Sequence, residues 1–231
     1  MCELGIFDDA EVKQLQGVIV HKKTRNSLHD ATFPVIVPAP LESHEIGELY
    51  RFTVEQYHVP AESGVLAYGE RAELVDGFVV RKDMLTPPRA CAVQELGTMF
   101  LKTVPDRFRV RIQSAITAGT SEPEPHVMVY RGENPSHRHP SGSEVRLVVE
   151  VLGDAPDFDR RKIAVYADAG IENCWIVDVE AAQVEVYSHP DPDTASYSQR
   201  QDYSFGESIT ITLEDETWTM SPLSRFLSDV D

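Results

Sequence analysis

Glu150 is the residue whose type and position most clearly suggest chemistry. It stands in the segment RLVVEVL at 146–152, with Val149 and Val151 on either side. A carboxylate buried in such a strand costs several kcal/mol unless it is paired or binds a metal. A second interpretation stays open, in which the strand ends there and Glu150 meets water. Under the first interpretation, Glu150 is a candidate metal ligand.

Lys162 is a candidate partner for this carboxylate. It lies on the predicted helix that follows the strand, and it shares a helical stripe with Val165, Tyr166 and Ala169. Its ammonium group can therefore reach along the helix toward the sheet end where Glu150 emerges. The structural alternative is a lysine that packs its stem on the surface and keeps its charge in water.

Glu73 and His126 complete the set of candidate residues. Glu73 lies between Ala72 and Leu74 in the first strand of a predicted hairpin, and His126 follows Pro125 at the start of a predicted strand. Alone, each has an ordinary structural interpretation, as a strand residue facing solvent and as a histidine at a strand start.

The charge of the chain limits its possible partners. Thirty-eight acidic and 21 basic residues give a formal net charge of −17. Such a surface repels nucleic acid at long range, so a DNA partner is disfavoured and requires a local basic cleft. The 42% apolar fraction is ordinary for a soluble globular protein.

The N-terminus and the cysteines indicate a cytoplasmic protein. The first residues, MCELGIFDDAEV, do not form a secretory signal, and no apolar run is long enough to span a membrane. The three cysteines are far apart and form no CxxC pair, which favours a reduced compartment. We therefore expect a soluble protein with no membrane partner.

Hydrophobic patterning predicts an α/β fold. Asp76-Gly77 between apolar runs is typical of a β-hairpin turn. The nearly continuous apolar runs at 146–152 and 174–179 are typical of strands covered on both faces, and a helix is predicted over 160–169 between them. The order of hairpin, helix, three strands, helix and further strands predicts a layered domain with a central mixed sheet.

One main domain preceded by an N-terminal extension is expected. Residues 1–50 contain a proline-rich stretch and are predicted to be an N-terminal extension, with the main domain at 51–231. The pattern Thr53-x-x-Gln56 predicts a helix start, and Ser221-Pro222 predicts a short final helix.

Taken in order, several segments resemble a known family. These are AELVDG, TPP, VRIQ, SEPEPHVMVYRG, LVVEV, DRRKIAVYADAGIENCWIVD and QVEVY. The chain is identified by this resemblance, from about Arg51 to Leu227, as a member of the Uma-two-type putative restriction endonuclease family within the PD-(D/E)XK nuclease superfamily. The resemblance implies a restriction-endonuclease-like core, a central mixed β-sheet flanked by helices.

The resemblance also implies a site for a divalent metal, Mg²⁺ or Mn²⁺. Glu73 matches the acidic residue of the family's ELxDG motif, Glu150 the metal-binding glutamate, and Lys162 the catalytic lysine of the next helix. His126 stands where the family has the aspartate that is its central metal ligand. The metal-facing set is then Glu73, His126 and Glu150, and the exchange at His126 implies impaired activity.

Three functions remain open at this point. The first is a metal-dependent DNA endonuclease, which would pair as a homodimer if it cuts two strands as related nucleases do. The second is a catalytically inactive binding or regulatory protein with the nuclease fold, favoured by His126 and by the net charge. The third is a metal hydrolase acting on a small phosphoester.

Overall fold

A computed structural model describes residues 50–63, 71–82, 84–153 and 156–222, together with a hairpin at 12–15 and 18–21. No helix among these residues is long and apolar enough to cross a membrane. Most of the predicted extension at 1–50 and the residues after Ser221-Pro222 lie outside the described part of the chain. The helices and strands of the described part are β1 (Val12–Leu15), β2 (Val18–His21), α1 (Val54–Ser63), β3 (Ala72–Val75), β4 (Phe78–Arg81), α2 (Pro87–Thr103), β5 (Phe108–Ile112), β6 (Val127–Arg131), β7 (Val145–Val151), α3 (Pro156–Asp168), β8 (Asn173–Asp178), β9 (Gln183–Asp191), β10 (Ser196–Ser204), β11 (Ile209–Leu213) and β12 (Glu216–Met220).

The chain divides into two compact units. One consists of Met1–Lys82 with Thr120–Glu122, and the other of Asp83–Gly119 with Pro123–Asp231. The predicted boundary at residue 50 is a different division and stays a prediction.

The first unit contains the β3–β4 hairpin and α1. Asp76 and Gly77 form the turn with φ of 52° and 77°, the positive values that the Asp-Gly pair predicts. Helix α1 begins after the predicted capping box, in which the Gln56 N–H donates to Thr53 Oγ1 and the Thr53 N–H donates to Gln56 Oε1.

The second unit is built on a six-stranded sheet in the order β10-β9-β8-β7-β6-β5. All neighbouring strands are antiparallel except β7 and β8, which are parallel. Helix α3 connects these two strands, because a parallel pair cannot be joined by a tight turn. The predicted α/β class with a central mixed sheet flanked by helices is confirmed.

The two faces of this sheet differ in chemistry. Val149 and Trp175 are register partners in the main hydrophobic core, where Trp175 packs on Phe100 of α2 with ring centroids 5.5 Å apart. The next pair, Glu150 and Ile176, points to the opposite face because side chains alternate along a strand. Helix α3 lies on that face and supplies polar groups to it.

Two helices begin earlier than the sequence pattern indicates. Helix α2 begins at Pro87 and α3 at Pro156, whereas the helical spacing of apolar residues over 91–104 and 160–169 indicates starts at 91 and 160. Proline fits the first turn because the N–H that it lacks has no partner within the helix there.

Candidate active site

The centre of the site is Glu150, near the carboxyl end of β7. Its side chain is fully buried, as are Val149 and Val151 on either side of it. The interpretation in which the strand ends and Glu150 meets water is therefore wrong. A buried carboxylate at this position requires partners, and the second unit supplies them.

Two side chains of α3 bind one oxygen of this carboxylate. The Lys162 Nζ donates to Glu150 Oε1 at 3.2 Å, and the Tyr166 hydroxyl donates to the same oxygen at 2.5 Å. Lys162 is only 2% exposed and Tyr166 is buried. The two residues are four apart, which puts them on one face of the helix, as the predicted stripe requires.

His126 binds the other oxygen. Its Nδ1 lies 2.8 Å from Glu150 Oε2 and 3.1 Å from the Val151 nitrogen, and it bonds one of them at a time: a protonated Nδ1 donates to the carboxylate, and an unprotonated Nδ1 accepts the Val151 N–H. The antiparallel register pairs Val127 with Val149, which places His126 opposite Glu150. Nδ1 is thus the ring nitrogen that faces Glu150.

Asp159, in the first turn of α3, is a further acidic residue near Glu150 that was not among the predicted site residues. Its Oδ2 accepts the Gly153 N–H at 2.6 Å. Burial and the negative charge of Glu150 raise the pKa of Asp159 to about 6, although the Gly153 N–H, Lys162 and His126 act in the opposite direction. Asp159 precedes Lys162 by three residues on the same helical face, and this spacing is the signal that could have identified it.

This pKa predicts a pH dependence of stability. The folded state binds the Asp159 proton more tightly than the unfolded state, whose ordinary value is 3.8, so this group lowers stability as the pH rises from about 4 to about 6. Asp159→Asn should therefore be more stable than the wild type at pH 7 and lose this part of the pH dependence. Urea denaturation from pH 4 to pH 7 measures the free energy of unfolding of both proteins, and Asp168→Asn, at an exposed position of the same helix, is the control. A stability difference that stays constant over this range would contradict the prediction.

Glu73 lies in the first unit, on β3, and is 3% exposed. It stands opposite Val80 in the hairpin. The structure therefore brings together three of the four predicted residues, His126, Glu150 and Lys162, and the place of Glu73 in the same site stays a prediction.

The donor set determines which cation could be held here. Within the described ranges, no three His, Cys, Asp or Glu side chains meet closely enough to hold a metal ion. The donors next to one another are the Glu150 carboxylate and the His126 imidazole, with Asp159 adding negative charge nearby. An imidazole and a carboxylate together fit a cation that accepts nitrogen as well as oxygen, such as Mn²⁺, better than they fit Mg²⁺.

The fold defines the class of protein. It is similar to the crystal structure of a putative nuclease belonging to DUF820 from Anabaena variabilis, with a TM-score of 0.51 and 14% sequence identity. The similarity covers 70% of this chain and 86% of the other. The fold is therefore nuclease-like.

The family follows from the sequence. The chain belongs to the Uma2 family, described as putative restriction endonuclease, whose family model matches residues 54–223. No curated protein matches the chain. The predicted family is confirmed, and family and fold together indicate a restriction-endonuclease-like nuclease.

Proposed function

We propose that this chain is a divalent-metal-dependent DNA endonuclease whose activity with Mg²⁺ is impaired by His126. The observation that carries the proposal is the buried Glu150–Lys162 pair, with 3.2 Å between Nζ and Oε1, next to the carboxyl end of β7. A strictly structural role explains it poorly, because a buried ion pair is often no more stabilising than well-packed apolar residues.

In this proposal, His126 and Glu150 would hold a cation that takes the place of their direct Nδ1–Oε2 contact, and Glu73 is the third ligand expected from the family motif. Such a cation would supply positive charge against the phosphate and lower the pKa of an attacking water. Lys162 stabilises the negative charge that develops on the phosphate, since an ammonium group in a dry site acts strongly on such charge. The Tyr166 hydroxyl, which donates to Glu150 Oε1, fixes the orientation of the carboxylate.

His126 determines the metal preference in this proposal. An imidazole brings no negative charge, whereas Mg²⁺ prefers oxygen ligands and charged carboxylates. Mn²⁺ accepts imidazole nitrogen more readily. We therefore expect cleavage to be supported by Mn²⁺ and to be weak with Mg²⁺.

A second candidate function is favoured by a specific observation. Both oxygens of Glu150 already have hydrogen-bonding partners, in Lys162 and Tyr166 on one side and His126 on the other. A closed network of this kind also suits a nuclease-fold protein that binds a partner without catalysis. A metal hydrolase acting on a small phosphoester is the third candidate, because an acidic surface does not repel a small substrate as strongly as it repels a duplex.

A plasmid-nicking assay over a series of divalent metals tests the proposal. We expect nicking with Mn²⁺, little with Mg²⁺, and none in the Glu150→Gln variant, with the exposed Glu180→Gln as a matched control. Mg²⁺ cleavage as fast as Mn²⁺ cleavage would refute the role of His126. No cleavage with any metal, together with no heat of Mn²⁺ binding by calorimetry, would favour the non-catalytic candidate.

A further inference from the structure

A second buried carboxylate lies on the same sheet face as Glu150. Glu185 of β9 is 2% exposed and pairs with Ile176, which in turn pairs with Glu150. The three residues therefore form one row across β7, β8 and β9. Two strand spacings separate the two glutamates, which is about 10 Å between backbones.

Two arginines and a tyrosine converge on Glu185. Arg160 of α3 donates through both terminal nitrogens, from Nη1 to Oε2 at 2.5 Å and from Nη2 to Oε1 at 2.6 Å. The Tyr187 hydroxyl donates to Oε2 at 2.7 Å, and Arg200 Nη2 of β10 lies 3.5 Å from Oε1. The Arg200 guanidinium also lies over the Tyr187 ring, 5.6 Å from its centroid.

The buried carboxylate keeps its charge. Burial acts to raise the pKa of Glu185, but hydrogen bonds from Arg160 and Tyr187 and the charges of Arg160 and Arg200 outweigh it and hold the pKa below its ordinary value. Glu185 is too buried to meet a ligand itself. Its effect is to fix two guanidinium groups whose side chains remain 34% and 46% exposed, those of Arg160 and Arg200 respectively.

We propose that Arg160 and Arg200, positioned by Glu185, bind a backbone phosphate of a nucleic-acid strand whose scissile phosphate lies near Glu150. This inference rests on the proposed function and names a site for its substrate. A guanidinium group has five N–H donors in a planar fork, so the groups that Glu185 leaves unused match a phosphate.

The neighbouring Asp202 is the group with which a phosphate must compete. Arg200 donates to it from Nε at 2.7 Å and from Nη2 at 3.0 Å. The Asp202 side chain is 39% exposed, so its removal leaves no buried charge. Removal of the competing carboxylate should therefore strengthen phosphate binding, the opposite of removing the arginine.

The experiment measures fluorescence anisotropy of a labelled DNA duplex, with EDTA present, at salt concentrations from about 50 to about 200 mM. Arg200→Gln should weaken binding and reduce the slope of log K against log salt by about 0.9, the value for one phosphate contact. Asp202→Asn should tighten binding. If neither variant differs from the wild type, the proposal is overturned.

The chain offers a closely matched control pair. Arg138 is 47% exposed and donates to both oxygens of Glu144, at 2.6 and 2.8 Å. Glu144 immediately precedes β7, at the end of the strand away from Glu150. Arg138→Gln and Glu144→Gln should leave affinity and salt slope unchanged, and effects equal to those of the Arg200 and Asp202 variants would refute a specific site.

Arg160 needs a different variant, because its removal alone would leave the buried Glu185 carboxylate without its main positively charged partner. Arg160→Gln combined with Glu185→Gln removes both charges and should also weaken binding, whereas a wild-type affinity in the folded double variant contradicts the proposal. The binding assay needs no metal and no cleavage. Failure of nicking with retained Arg200-dependent binding would therefore refute the catalytic proposal alone.

Discussion

Replacing His126 by aspartate is expected to raise Mg²⁺-supported nicking by on the order of 10- to 100-fold, the same size as the loss that mutation of supporting groups around a metal typically causes. The position is opposite Glu150, and Nδ1 now lies 2.8 Å from Glu150 Oε2. A carboxylate there can still accept the Val151 N–H but repels Glu150. A dication between the two carboxylates relieves that repulsion, so His126→Asp should also bind Mg²⁺ more tightly in calorimetry.

His126→Asn is the matched control for this variant. Asparagine can accept the Val151 N–H, as Nδ1 does at 3.1 Å, but it adds no charge. We expect it to nick no faster with Mg²⁺ than the wild type. Equal increases in Mg²⁺-supported nicking in the asparagine and aspartate variants would mean that the size of the His126 ring, rather than its lack of negative charge, limits nicking by the wild type. Strong Mg²⁺-dependent cleavage by the wild type that is abolished by His126→Asp would refute the proposal that His126 impairs activity with Mg²⁺.

The central strands were predictable because both faces of each are covered. The apolar runs around Val149 and Trp175 predicted β7 and β8, and Asp76-Gly77 predicted the hairpin, since each pattern has one dominant physical cause. Strand β10 was not predicted. Its sequence SYSQRQDYS is polar and mostly exposed, so it carries no burial signal, and it forms by pairing with β9.

The site was predictable only where a residue conflicted with its surroundings. Glu150 in an apolar strand required a partner, and Lys162 on the following helix was the available one. The sequence places Tyr166 on the helical stripe of Lys162 but does not identify it as a partner of Glu150, because a hydroxyl group adds nothing to a hydrophobic pattern. Glu185 lies in the alternating segment QVEVYS, which is typical of a half-exposed strand, so its burial depends on Arg160 and on the tertiary fold.

Lys162→Met is expected to lower the free energy of unfolding by about 3–5 kcal/mol, the usual effect of removing one partner of a buried ion pair. Lys162 is 2% exposed and its partner Glu150 is fully buried, so water cannot replace the lost ammonium group without opening the fold. The carboxylate would keep the Tyr166 hydroxyl and the His126 ring, which do not supply a permanent positive charge. Urea denaturation at pH 7 measures the loss.

The double variant Lys162→Met with Glu150→Gln separates charge from packing. Because it removes both members of the pair, most of the lost stability should return, while nicking stays absent if the pair is catalytic. Lys102→Met, at an exposed position of α2, should leave both properties unchanged. Wild-type stability in the single variant would contradict a charged buried pair. A double variant as unstable as the single one would instead assign the loss to packing around the Lys162 stem.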